Sequence, residues 1–313
     1  MEHIYTFDLH SHLNEKNVNP ADYFERAQKV GLNAIAITEH ADKDPRSAYE
    51  KLAEFVPKGM VLIPGSELNS EHGHLLCYGK DKSFYDHEEL FADNAPLETI
   101  LGIVEKNGYL ASIAHPWGFN HDSYGFNIGF ERIEKLVLTK RIGVETYNGM
   151  IGNLSNFIFD TNWVVKPVNF LDFLEKNRVT RKTGIVRLSS KIKNKIDEQR
   201  RDLVERCARA IDLGEKAAYV TAGSDGHYAK RIGEGVLKIK SSEANLSNHN
   251  VLDEIIKKEN VIWYGPLVIE EEPGIFRRAD EPFDNKEILQ GLKYASASVL
   301  GKVKKRVLRK KSE

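Results

Sequence analysis

The sequence predicts an α/β protein whose strands form a closed or distorted barrel, and three observations carry that reading. Short apolar runs alternate with segments of helical pattern, which argues for right-handed crossovers and a largely parallel sheet of about seven strands. Five of those runs stop at a histidine, an acid or both: TFDLHSH, AIAITEH, VLIPGSE, YLASIAHP and YVTAGSDGH. These ends are spread over many strands, whereas an open sheet gathers its site at one switch point.

TFDLHSH reads as the first strand. Asn19-Pro20 then looks like an N-cap with proline at the first helical position, and ADYFERAQKVG continues as a helix ending near Gly31. LNAIAIT is a buried strand. A helix over about 46–56 leads to the strand GMVLIPGSE and then to HGHLLCYG. A helix over about 96–107 closes at Asn107-Gly108 and feeds YLASIAHP; another over about 130–140 feeds RIGVETYN. Residues 150–190 break the rhythm and read as a helical insertion, a lid or a flank. Between Lys176 and Arg206 there are eleven basic and four acidic residues. Ile192, Ile196, Leu203, Cys207 and Ile211 recur at helical spacing, which predicts one amphipathic helix over 190–213. VLDEIIKKENVIWYG is a last helix and strand. Residues 1–270 read as one domain, and 271–313 as a helical, basic extension with seven Lys or Arg between Lys302 and Lys311.

Composition narrows the class. The 313 residues are 41% hydrophobic and 29% charged, with a net charge of −1, so no overall field draws the chain to nucleic acid or membrane. No segment approaches the roughly 20 apolar residues of a membrane span. The N-terminus lacks a basic n-region and an apolar h-region, and it already reads as a strand. Two distant cysteines, Cys77 and Cys207, predict neither a disulfide framework nor a thiolate zinc site, so a reducing cytoplasm is expected.

The strand ends carry the chemistry. His10 and His12, two residues apart, place both imidazoles on one strand face, where they can bind one ion. Taken alone, such a pair is usually two surface histidines. Asp8 either orients a ligand by accepting its other ring N–H or is a solvated or capping acid. Glu39 and His40, taken alone, read as a helix-starting acid beside an exposed histidine rather than as ligands. Glu67 has two oxygens and as a ligand can bridge two ions. His74 leads straight into a strand and is the better ligand of the His72–His74 pair; His72 reads as exposed. His115 follows an apolar run and precedes Pro116. Asp225 and His227 follow Ala-Gly-Ser, small residues that let backbone pass close to something bulky such as a metal-bound substrate. Jointly these ends predict a cluster of divalent ions held by nitrogen and oxygen, which suits Mn, Fe or Zn.

In their order, D-L-H-S-H, I-T-E-H, G-S-E, H-L-L-C-Y-G, A-H-P and G-S-D-G-H resemble the polymerase and histidinol phosphatase (PHP) superfamily, most of all its tryptophan-operon-linked phosphoesterase branch. The motifs span about 3–240, with a weaker match to 264. The resemblance implies a distorted (β/α)7 TIM-like barrel, two or three divalent metals and phosphoester hydrolysis. Carried over by position, it implies one ion on His10, His12, Glu67 and Asp225, a second on Glu67, His74 and His115, and a third on His40 and His227. Two departures stand out. The family has threonine after the second histidine and an acid five residues after it; here these are Leu13 and Asn17, a weaker neutral ligand, unless Glu15 supplies the acid through a shifted loop. The family commonly has Asp where this chain has Glu39.

The expected activity is hydrolysis of a small phosphate monoester, a nucleotide or a short oligonucleotide by a metal-activated hydroxide. Asn148 and Arg231 are candidate substrate contacts. The basic insert and tail are candidate contacts for nucleic acid. A histidinol-phosphate-type phosphatase, and an inactive module that binds nucleic acid, are the alternatives.

Overall fold

The computed structural model describes residues 2–118, 122–160, 162–176, 184–272 and 275–278. Strand β1 (His3–Asp8) is followed by α1 (Pro20–Lys29), β2 (Ala34–Ile37) and α2 (Pro45–Ala53). Next come β3 (Val61–Ser70), β4 (Gly73–Tyr78), α3 (Leu97–Asn107), β5 (Leu110–Ile113), α4 (Tyr124–Asn127), α5 (Phe130–Thr139) and β6 (Gly143–Asn148). Helices α6 (Gly149–Asp160), α7 (Asn162–Lys176) and α8 (Gly184–Lys216) precede β7 (Tyr219–Gly223). The described chain ends with β8 (Gly235–Ser241), α9 (Val251–Ile255), β9 (Val261–Pro266), β10 (Val268–Glu272) and β11 (Ile275–Arg278).

The local signals act where the sequence puts them. Asn19 Oδ1 accepts the Ala21 N–H at 2.8 Å and caps α1, with Pro20 at its start. Gly108, at φ 64°, ends α3 in the left-handed conformation that glycine tolerates. The helix expected over 190–213 is the longer α8.

The strands β1 to β7 lie side by side in chain order. All neighbours are parallel except β4, which runs antiparallel to β3 and β5. The two ends of this row meet. The Leu9 N–H donates to Ala222 O at 3.1 Å, Asp225 N–H to His10 O at 2.7 Å, and His12 N–H to Gly226 O at 3.0 Å. The sheet is therefore a nearly closed seven-strand barrel, with β8 and β9 added antiparallel on the outside of β1. Inside it, Phe7, Leu9, Ala34, Ala36, Val61, Ile63, Leu76 and Tyr78 pack together, and the Tyr78 hydroxyl donates across to Leu9 O at 3.0 Å. The opposite faces of β2 and β3 pack on α1 and α2, and those of β4, β5 and β6 on α3, α5 and α8. Strands buried on both faces explain the continuous apolar runs.

Two expectations change. The domain boundary expected at 270 falls inside an antiparallel hairpin of β10 and β11, and residues 275–278 are strand rather than helix. The basic tail 279–313 lies outside the described residues. Among the described residues, no helix is long and apolar enough to cross a membrane.

Candidate metal centre

Barrel enzymes carry chemistry at the carboxyl ends of their strands, and here the strand ends converge on one rim. His10 and His12 follow β1, Glu39 and His40 follow β2, His115 follows β5, and Asp225 and His227 follow β7. Glu67 lies within the long β3. His74 is at the start of β4, and because β4 runs antiparallel its beginning reaches the same rim. In that hairpin His74 pairs with Asn69, so Glu67, two residues earlier, shares its face.

Glu67 is the hub. Its Oε1 lies 2.7 Å from His74 Nδ1 and 2.9 Å from His115 Nε2. Its Oε2 lies 3.5 Å from His10 Nε2, 3.5 Å from His12 Nε2 and 3.1 Å from His40 Nδ1. Asp225 Oδ1 faces the same two imidazoles, 3.6 Å from His10 Nε2 and 3.3 Å from His12 Nε2. His10 Nε2 and His12 Nε2 are buried without a hydrogen-bond partner. A buried ring nitrogen left so, beside carboxylate oxygens that do not meet it with hydrogen-bond geometry, is what a site for a cation looks like. Among the described residues, three groups have donor atoms within 4.8 Å of one another: His10, His12 and Glu67; His40, Glu67 and His74; and His12, His40 and His227.

The environment sorts these groups by charge. Burial raises the pKa of Glu67, but His74, His40 and His10 outweigh it and hold the carboxyl well below its ordinary range. Burial likewise works against Asp225, and His10, His12 and His227 pull it well below. For His10, burial favours the neutral ring, yet Asp225, Glu145 and Glu67 leave its pKa well above the usual value. The protein therefore keeps its carboxylates charged out of water, a cost that positive charge placed between them would offset.

The other expected residues fall in different places. Asp8 is buried; its carboxylate accepts backbone N–H groups of His10 at 3.2 Å, Ser224 at 2.9 Å and Gly233 at 2.8 Å, tying β1 to the chain around β7. Burial raises its pKa to about 6 in spite of those bonds. Glu39 accepts from the Leu13 N–H at 2.8 Å and from the Asn14 N–H, and its Oε1 is 3.3 Å from His12 Nδ1. Burial raises its pKa, but His12 and these backbone bonds bring it down to about 2. The turn so clamped carries Glu15 inward, with Oε2 2.7 Å from His227 Nε2 and 3.4 Å from His40 Nε2. Asn17 is exposed, with a left-handed φ of 50°, and takes no part in the cluster. The acid beside His40 and His227 is thus Glu15, two residues before Asn17. His72, which the sequence reads as exposed, is half-buried.

Both amide ends of Asn148 are used within the protein. Its Nδ2 donates to Glu145 Oε2 at 3.2 Å and Asp225 Oδ2 at 3.1 Å, and its Oδ1 accepts the Ile151 N–H at 3.1 Å. Arg231 is buried and paired with Glu234 at 2.9 Å, so its charge is already matched. Gly223 is small for a different reason from the one expected: a Cβ there would lie 2.3 Å from His10 N, so the glycine lets β7 pass the backbone of β1, not a substrate. Glu145 was not anticipated. It is 1% exposed in the middle of β6, and an acid inside an otherwise apolar run was its only signal.

No family model and no curated protein sequence matches the chain. Among solved structures, it is similar to a two-domain protein from Bacteroides vulgatus described as containing a predicted PHP-like metal-dependent phosphoesterase, with 15% identity and a TM-score of 0.48 over 85% of this chain. The match spans 66% of that protein's length. It is also similar to PsfC from Pseudomonas syringae, with 16% identity and a TM-score of 0.45 over 81% of this chain and 89% of PsfC.

Proposed function

We propose that this chain is a metal-dependent phosphoesterase of the PHP superfamily, in its tryptophan-operon-linked branch. It hydrolyses the ester bond of a small phosphate monoester, a nucleotide or a short oligonucleotide. The observation that carries the reading is Glu67, whose two oxygens meet five imidazoles while His10 Nε2 and His12 Nε2 have no hydrogen-bond partner. Nitrogen and carboxylate donors without thiolate suit Mn, Zn or Fe. His10, His12, Glu67 and Asp225 would hold one ion, and Glu67, His74 and His115 a second. His40, His227 and Glu15 would hold a third. Ions bound there lower the pKa of water and offset the charge on phosphoryl oxygens.

The chain's own residues do the rest. Carboxylates behind the rings fix which nitrogen carries the proton: Glu145 for His10 and Glu39 for His12. Depth orders the site: the side chains of His10, His12, Glu67 and Asp225 are at most 4% exposed, whereas those of His40, His74, Glu15 and His227 are 14–24% exposed and form the side a substrate meets. Cys77 is buried in β4, and burial pushes its thiol far up, so it is no nucleophile.

The test is metal analysis of the purified protein, together with a hydrolysis screen of nucleotides, sugar phosphates, histidinol phosphate and oligonucleotides. At least two divalent ions per chain are expected, with activity lost in chelator and restored by Mn²⁺. Full activity in chelator would sink the reading.

A further inference from the structure

Glu145 and Asn148 stand three residues apart on β6, and in a regular strand they would point to opposite faces. They share one face because β6 shifts register against β7 between Glu145 and Tyr147. A bulge adds a residue there, and bulges re-aim side chains beside active sites. Glu145 uses both oxygens. Its Oε1 accepts from His10 Nδ1 at 2.9 Å, and its Oε2 accepts the His115 backbone N–H at 2.6 Å and Asn148 Nδ2 at 3.2 Å. Asn148 passes the connection on to Asp225 Oδ2. His115 and Asp225 both have positive φ, 25° and 51°, a conformation that non-glycine residues hold only under outside constraint. One strand thus grips three candidate ligands brought in by three other segments.

We infer that Glu145 is a positioning residue for the metal centre: its carboxylate, aimed by the β6 bulge, sets the ring proton of His10 and the backbone of His115 together, so ion affinity depends on it. The inference rests on the metal-dependent reading above. His10 belongs to one expected ligand set and His115 to the other, with Glu67 common to both. Glu145 therefore links the two sets from behind, where it touches neither ion nor substrate.

The test uses the full chain, stripped of ions, with Glu145→Gln and Glu145→Ala. Glutamine keeps the shape and one acceptor oxygen; alanine keeps neither. Zn²⁺ dissociation constants are measured by competition with a chelating dye, and imidazole ¹⁵N signals of the Zn²⁺-loaded protein report which His10 nitrogen carries the proton. Circular dichroism of the ion-free proteins checks folding. E145Q is expected to weaken Zn²⁺ binding about tenfold and E145A about a hundredfold, the span seen when such supporting partners are removed. The His10 Nδ1–H signature is expected to be lost in E145A. A folded E145Q with wild-type affinity and unchanged His10 signals overturns the inference, and it decides alone if E145A does not fold. Wild-type protein that takes up no Zn²⁺ overturns the metal-dependent reading itself, and this inference with it, so the wild-type titration separates the two failures.

Discussion

At the residue scale the centre is an arrangement of opposed charges that one proton or one ion can satisfy. His12 and Asp225 face each other at 3.3 Å with Glu67 beside them. Changing either His12 or Asp225 to alanine should therefore remove several orders of magnitude of phosphoesterase rate, because ion and substrate charge are lost together. Steady-state assays at saturating Mn²⁺ check this; activity near wild type would place the chemistry elsewhere. Glu15 and Asn17 offer a sharper contrast. Glu15 reaches His40 and His227, whereas Asn17 is exposed. Glu15→Gln should lower the number of bound ions by one on dialysis, and Asn17→Asp should leave it unchanged, as metal analysis of the two variants would report. Extra metal in the Asn17 variant would mean that the turn rearranges.

At the element scale the barrel's closure and its site are one construction. The bonds that join β7 to β1 run through His10, His12 and Asp225, so ligand geometry depends on a close backbone contact at Gly223. Gly223→Ala should cost about 3 kcal/mol of stability, since the three clashing atoms are the backbone N and Cα of His10 and its Cβ, none of which can swing aside. It should also weaken Zn²⁺ binding. Asn19→Ala removes only a cap on a distant helix and should cost about 1 kcal/mol with no change in ion affinity. Urea unfolding with parallel Zn²⁺ titration separates these outcomes; equal losses in both variants would disconnect closure from the site. The long α8 is held at its end by Lys258, whose ammonium donates to the carbonyls of Gly214, Glu215 and Ala217 at 2.8, 2.6 and 3.1 Å. Near its middle, Arg206 donates to Gly118 O at 2.9 Å and lies 4.8 Å over the Phe126 ring, which ties the helix to the chain after His115.

At the scale of the whole molecule, a ligand bound only by the folded state adds to its stability. Zn²⁺ or Mn²⁺ at a hundred times its dissociation constant should stabilise the fold by about 2.7 kcal/mol per site, seen as a rise in melting temperature. No shift at saturating metal would mean that the cluster holds no ion. The basic segments address substrate choice. We propose that they draw in polyanions, with an affinity that falls steeply as salt rises. Deleting residues 302–313 should then weaken hydrolysis of an oligonucleotide and leave that of a small monoester unchanged. If neither substrate responds, the tail plays no part in recognition.

The strands, the helices and most of the converging residues were legible because local rules control them. Caps, left-handed glycines and apolar runs are written within a few neighbouring residues, and a histidine at a strand end keeps its place whatever the register. What reached across the chain was not legible. Glu145 looked like an ordinary strand residue until the bulge turned it beside Asn148, and pairing register is set between strands, not within them. The sequence offered both Asn17 and Glu15 for one loop position, and it is Glu15 that faces His40 and His227, because Glu39, on another strand end, holds the turn that carries it. Arg231 and Asn148 seemed free to meet a substrate until burial supplied them with partners inside the protein. The kinds of chemistry at the rim could thus be read from residue types and spacing. Which atoms face one another was decided by the closing of the barrel, since only packing brings β1, β6 and β7 together.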